Sequence, residues 1–101
     1  MKSKRTKACE ISPKVREEVE KRDGHRCIFC GSYDARGEAH YVNRSQGGLG
    51  IPENILTVCS ACHREMDNGM NINKYRSIAE MYLKSKYPEW DKSKLVYNKW
   101  R

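Results

Sequence analysis

Two Cys-x-x-Cys pairs, Cys27/Cys30 and Cys59/Cys62, enclose an insert of 28 residues. Four thiolates so spaced are the donor set of a tetrahedral Zn²⁺ site, with thioredoxin-like redox chemistry and disulfide formation as competing uses of the motif. The insert is longer than in common zinc ribbons, which makes the four-cysteine site a clamp on something else. Within the insert lie His40 and Asn54, and His63 directly follows the last cysteine. An imidazole, with an ordinary pKa of about 6.5, is neutral often enough at physiological pH to accept a proton or bind a metal. A carboxamide donates and accepts hydrogen bonds at once, so it can hold a loop that presents such a group. His63 is a poor candidate for the zinc itself, whose four positions the thiolates already fill.

A clamp is what this composition needs. The chain has 101 residues, 38% of them apolar and 33% charged. One domain is expected, since smaller pieces could not bury a core, and even one domain of this polarity gains little over its conformational entropy without a staple. Met1 to Glu10 reads MKSKRTKACE, with no apolar run of the kind a secretory signal carries, so a reducing cytoplasmic setting is expected. Cys9, the fifth cysteine, is the odd thiol of that leader. No stretch approaches the length of a membrane-spanning helix. Lys and Arg total 20 against 13 Asp and Glu, a formal charge of +7, which points to a polyanionic partner. Lys14, Arg22 and Arg26 are the candidate phosphate contacts ahead of the first cysteine pair. Further cations cluster in the leader and from Lys84 to Arg101.

The elements that must position these residues are legible in outline. Ser12-Pro13 starts a helix that runs to about Arg22, buries Val15 and Val19, and ends at Asp23-Gly24. Around the first cysteine pair, His25 to Gly31 forms a knuckle, glycine permitting the tight turn. Glu38 to Asn43 is expected as a strand, Arg44 to Gly50 as a flexible loop, and Ile55 to Val58 as an apolar run beneath the metal. A helix from Ser60 to Asp67, capped by Ser60 and stopped by Asn68-Gly69, follows the second pair. Tyr75, Ile78, Ala79, Tyr82 and Leu83 recur at helical spacing from about Asn73 to Ser85, with Met81 read as packing. Trp90, Leu95, Tyr97 and Trp100 form an aromatic tail that packs back on the domain or stacks on bases. The expected fold is α+β: a basic leader (1–10), a helix (11–23), a metal-stapled core (24–68), and a C-terminal helix with its tail (73–101).

The strings CIFCG, EAHYVNRSQGG, PEN and CSACH, in that order between Gly24 and Asn68, resemble the HNH endonucleases, particularly the small zinc-stapled members found in phages and bacteria. The resemblance implies a ββα-metal core and metal-assisted hydrolysis of DNA phosphodiester bonds, leaving 5′-phosphate and 3′-hydroxyl ends. It implies that His40, seven residues before the first glycine of the Gly47-Gly48 pair, is the general base, that Asn54 holds the catalytic loop, and that His63 ligates a catalytic divalent metal, Mg²⁺, Mn²⁺ or similar. Arg44, just past the base, is the candidate for gripping a phosphate oxygen.

The chain departs from the family at Ala39, where most members carry an Asp or His as second metal ligand. His63, waters and phosphate oxygens then make up the metal shell, with Glu38 as a further contributor because period-two alternation puts it on the strand face of His40. The same departure favours a competing reading, a non-catalytic zinc module that binds nucleic acid or a protein, for example in a phage packaging assembly. The intact His40, Asn54 and His63 favour the nuclease, since a pure binding module needs none of them.

Overall fold

A computed structural model describes residues 3–98. Trp100 and the outermost cations of both ends, with the roles expected of them, lie outside the described residues. The leader contains a short helix that the sequence reading missed, α1 (Lys4–Cys9), capped by the Ser3 hydroxyl, which accepts from the Thr6 N–H at 3.1 Å. Helix α2 (Pro13–Arg22) begins as Ser12-Pro13 implies, the Ser12 hydroxyl accepting from the Val15 N–H.

The sheet is a single antiparallel pair, β1 (Ala35–His40) with β2 (Ile55–Cys59). Its register shifts between Gly37 and Ala39, so Glu38 is the extra residue of a bulge. Strand β1 therefore starts and ends three residues before the expected Glu38 to Asn43. Tyr41 and Val42 are buried and held beside the sheet, but their partner is Asn54 rather than β2. The Tyr41 N–H donates to the Asn54 carbonyl and the Val42 N–H to its side-chain oxygen, each at 2.8 Å.

Helix α3 (Ser60–Asn68) follows β2 without a loop. Its cap is the Cys59 sulfur, which accepts from the Cys62 N–H, and not the expected Ser60 hydroxyl. Helix α4 (Ile72–Lys86) closes the domain by burying Ala79 and Leu83, one turn apart. The expected packing of Met81 and Ile78 does not occur: Met81 is 72% and Ile78 40% exposed. Helix α4 packs against α3, and Met81 lies on the far side of α4 from the buried Ala79–Leu83 stripe. Leu56, Met66, Leu83 and Leu95 are the fully buried centre of the core, and Cys27 and Cys62 sit at its edge. The described tail packs back. Trp90 meets Tyr41 edge to face at 5.6 Å and donates its indole N–H to the Glu53 carbonyl.

Arg22, one of the expected phosphate contacts, is instead internal. Its five N–H donors go to both Asp23 oxygens, the Pro52 and Ile55 carbonyls and the Tyr87 hydroxyl. A guanidinium has five donors in all, so none remains for a phosphate. Asp23 in turn accepts from the Thr57 N–H and the Tyr82 hydroxyl. Burial alone would raise its pKa, yet Arg22, Tyr82 and Thr57 hold the carboxyl below its ordinary range. This network joins α2, β2, the turn at Pro52 and α4. Asp23→Ala is expected to cost about 3–5 kcal/mol of stability, because it strands a buried cation and two donors. Urea unfolding of the metal-loaded protein reads this directly. A loss below about 1 kcal/mol would put the pair in the class of surface ion pairs.

The loop of residues 45–50 is gripped from two sides. The Gly50 N–H donates to the Ala8 carbonyl, and Arg5 donates to the Ser45 carbonyl. From the tail, the Leu49 N–H donates to the Leu95 carbonyl and the Tyr97 N–H to the Gly47 carbonyl, around a bridge between Gly48 and Val96. Close approach is what the glycines provide: a Cβ on Gly48 would lie 1.7 Å from the Val42 carbonyl oxygen and one on Gly50 1.9 Å from that of Glu10. Among the described residues no helix is long and apolar enough to cross a membrane.

Candidate functional site

The two cysteine pairs converge. Cys27 and Cys30 lie on the turn between α2 and β1, Cys59 ends β2, and Cys62 is in the first turn of α3. The first knuckle is docked on the sheet by the Ile28 N–H, which donates to the Thr57 carbonyl at 3.0 Å. The four sulfurs lie within 4.8 Å of one another, with Cys30 and Cys59 3.6 Å apart. Metal–sulfur bonds of about 2.3 Å in a tetrahedron give sulfur–sulfur edges of roughly 3.8 Å, so the group can hold a metal ion.

The thiols also resist sharing their protons evenly. Burial opposes ionisation of Cys27, but backbone N–H groups of Cys30, Cys59 and Phe29 bring its pKa down to about 7. Burial and then the neighbouring thiols of Cys59, Cys27 and Cys30 push Cys62 well up. One thiolate forms readily and the next is opposed, a tension that a central cation relieves. Cys9 is buried in α1 and is not part of this group.

Beside the cysteines, an open cleft of about 500 Å³ is lined by residues of α1's exit, α2, β1, the following turn and α3. His40 enters it from the end of β1 and is 8% exposed. Its Nε2 lies 2.9 Å from the Cys9 carbonyl oxygen. A carbonyl only accepts, so Nε2 carries the proton and Nδ1 is the free acceptor of the neutral ring. Burial first, then the charges of Arg44 and His63, hold the pKa of His40 below 6.5, against the opposing pull of Cys9 and Asp67. The ring is therefore neutral at physiological pH.

His63, from α3, lines the same cleft, and its Nε2 lies 3.1 Å from Asp67 Oδ2 one turn later. Arg76 of α4 stands behind Asp67, 3.5 Å from its other oxygen, and also donates to the Tyr41 carbonyl and the Asn43 side chain. Neither Asp67 nor Arg76 was singled out from sequence. The signal for Asp67 was present in the His63-x-x-x-Asp67 spacing, which puts two donors on one helix face. Arg76 had no such signal.

Glu38, at the bulge, also lines the cleft and pairs with Arg16 at 3.0 Å. Ala39 is 1% exposed within the core cluster, opposite Leu56. Asn54 is fully buried and outside the cleft lining. Its side chain accepts from the Val42 N–H and donates to the Val42 and Leu49 carbonyls, which ties together the two ends of the loop after His40. Arg44 lines the cleft, as does Arg16. Lys14 lies exposed in the first turn of α2. Arg26 is on the first knuckle, donating to the Gly31 carbonyl and stacked 4.6 Å over the Tyr33 ring, away from the cleft lining. His25 is exposed next to it, in the left-handed region at φ 58.

The chain is similar to Anaredoxin of Nostoc sp., 25% identical over 57 residues, a stretch that covers 55% of this chain and 75% of that protein. No family model matches the chain, and no solved structure matches it.

Proposed function

We propose that the protein is a metal-dependent endonuclease of the HNH type, acting on DNA, with the four cysteines holding a structural Zn²⁺. The observation that carries the reading is His40: a neutral imidazole whose Nδ1 is left free in a cleft that it shares with the His63–Asp67 pair and with Arg16 and Arg44. The order of knuckle, strand, loop, strand and helix agrees with the ββα-metal arrangement that the sequence resembles. The reading carries with it a cytoplasmic setting, where thiolates stay reduced.

His63 Nε2 and Asp67 Oδ2 are the residues that would hold a divalent metal. Two neighbouring ligands of an octahedral ion bound at about 2.1 Å lie roughly 3.0 Å apart, close to the 3.1 Å observed between them. When bound, such a cation polarises the scissile phosphate and stabilises the departing 3′ oxygen. His40 Nδ1 takes the proton of the attacking water, the new bond forms to phosphorus, and the bond from phosphorus to the 3′ oxygen breaks, that oxygen then gaining a proton. Arg44 and Arg16 neutralise phosphate oxygens at the cleft. Asp67 thus answers the missing ligand at Ala39: the carboxylate comes from α3 instead of from β1. Glu38 keeps Arg16 in place and remains within reach of the same cleft.

Ala39 also favours a second reading, a non-catalytic zinc module that binds nucleic acid or a protein partner. Plasmid cleavage across Mg²⁺, Mn²⁺ and other divalent ions separates the two. Wild type is expected to cut, and His63→Ala and Asp67→Ala to need at least about tenfold more metal for half-maximal rate, since even groups that only support a ligand cost 10–100-fold in metal affinity. A wild type that binds DNA yet fails to cut it in the presence of any of these ions would leave the binding module as the description of the protein.

A further inference from the structure

The histidine that faces the cleft is held by a residue outside every motif considered so far. Its acceptor, the Cys9 carbonyl, belongs to the segment that precedes α2, and Glu10 and Ile11 of that segment line the cleft. The segment has a built seat. Ala8 accepts from the Gly50 N–H at 3.0 Å, Arg5 reaches the Ser45 carbonyl at 3.0 Å, and Cys9 is 3% exposed. The seat tolerates no side chain at residue 50, where a Cβ would lie 1.9 Å from the Glu10 carbonyl oxygen. Backbone on both sides leaves no flexible group to give way.

We propose that the N-terminal arm, residues 3–11, is a positioning element for His40: seated on Gly50, it presents the Cys9 carbonyl that fixes the ring's tautomer and orientation. The catalytic half of this inference rests on the nuclease reading. The positioning half stands on the hydrogen bond and the seat alone. Without the carbonyl, the ring is free to flip and to move its proton to Nδ1, and a ring in that state has no acceptor to offer a water in the cleft. A group that orients a base changes turnover more than substrate affinity.

The test uses the full chain, metal-loaded, with Gly50→Ala. The first readout is the ring N–H proton of His40 in the NMR spectrum, identified by its loss in His40→Ala. Wild type is expected to show it as a slowly exchanging resonance, because the ring is buried and bonded. Cys9→Ala, which alters the side chain and not the carbonyl, is expected to retain it. Gly50→Ala is expected to lose it and to lower kcat by roughly 10- to 100-fold with DNA affinity unchanged. The absorption spectrum of Co²⁺ at the four cysteines shows that the variant is folded. Arg5→Ala removes only the outer latch and is expected to speed exchange of the same proton, which keeps the test decisive if Gly50→Ala does not fold.

A wild type without the protected proton, or one whose proton exchanges equally slowly in both seat variants, overturns the proposal. A proton present in wild type and lost in Gly50→Ala, in a protein that cuts no DNA, upholds the arm and removes the nuclease reading instead.

Discussion

Removal of a metal ion held by the four cysteines, or replacement of Cys59 by serine, is expected to unfold the protein. The magnitudes decide this. A domain of this size is stable by about 5–15 kcal/mol in total, and a structural Zn²⁺ in a small domain contributes an apparent 10–16 kcal/mol at neutral pH. The core here is small, with Cys27 and Cys62 forming part of its edge. Cys59 has three duties, as the last residue of β2, the cap of α3 and a thiol of the site. Its loss therefore frees the knuckle, the strand end and the helix start together. Circular dichroism after verified metal removal is expected to show loss of helix, restored by adding Zn²⁺. A metal-free protein with a cooperative melt at the original temperature would show the ion to be dispensable.

His40→Ala is expected to lower cleavage by about 10²- to 10⁴-fold, the usual contribution of a general base, while DNA affinity and fold persist. The substitution leaves the Cys9 carbonyl without its donor, at a cost of about 1–3 kcal/mol that the metal-loaded protein can absorb. The pH profile gives a second reading. Burial and the charges of Arg44 and His63 favour the neutral ring, so the rate is expected to fall on the acid side only below pH 6.5. The sign follows from the role, since a base works deprotonated and its lowered pKa extends activity toward acid. Unchanged cleavage by His40→Ala would remove His40 as the base and direct suspicion to a contaminating nuclease.

What sequence revealed and what it hid follow from the range of the interactions. The four cysteines announce themselves by spacing, and α2 by Ser12-Pro13, because local chemistry fixes both. Asn54 was expected to hold the loop after His40, and its hydrogen bonds to Val42 and Leu49 are of that kind. Arg22 was misread because a cation's sequence neighbours do not reveal whether it meets solvent, and its partners at Pro52, Ile55 and Tyr87 are distant in the chain. The offset of β1 has a similar cause, since Tyr41 and Val42 have strand-forming side chains but their N–H groups donate to Asn54 instead of to β2. Met81 fits a helix period and still lies exposed, because periodicity shows a face and not what covers it.

The loop of residues 45–50 is pinned by a segment some forty residues before it and by another some forty-five residues after it. Contacts between segments so far apart in sequence form slowly, after the local hairpin and helices. A chain emerging from the ribosome can therefore close its hairpin and bring its four cysteines together before Leu95 and Tyr97 are available to the loop. The loop that follows Arg44 is thus expected to become rigid only when Leu95 enters the core, so that closing the core and fixing that wall of the cleft are one event.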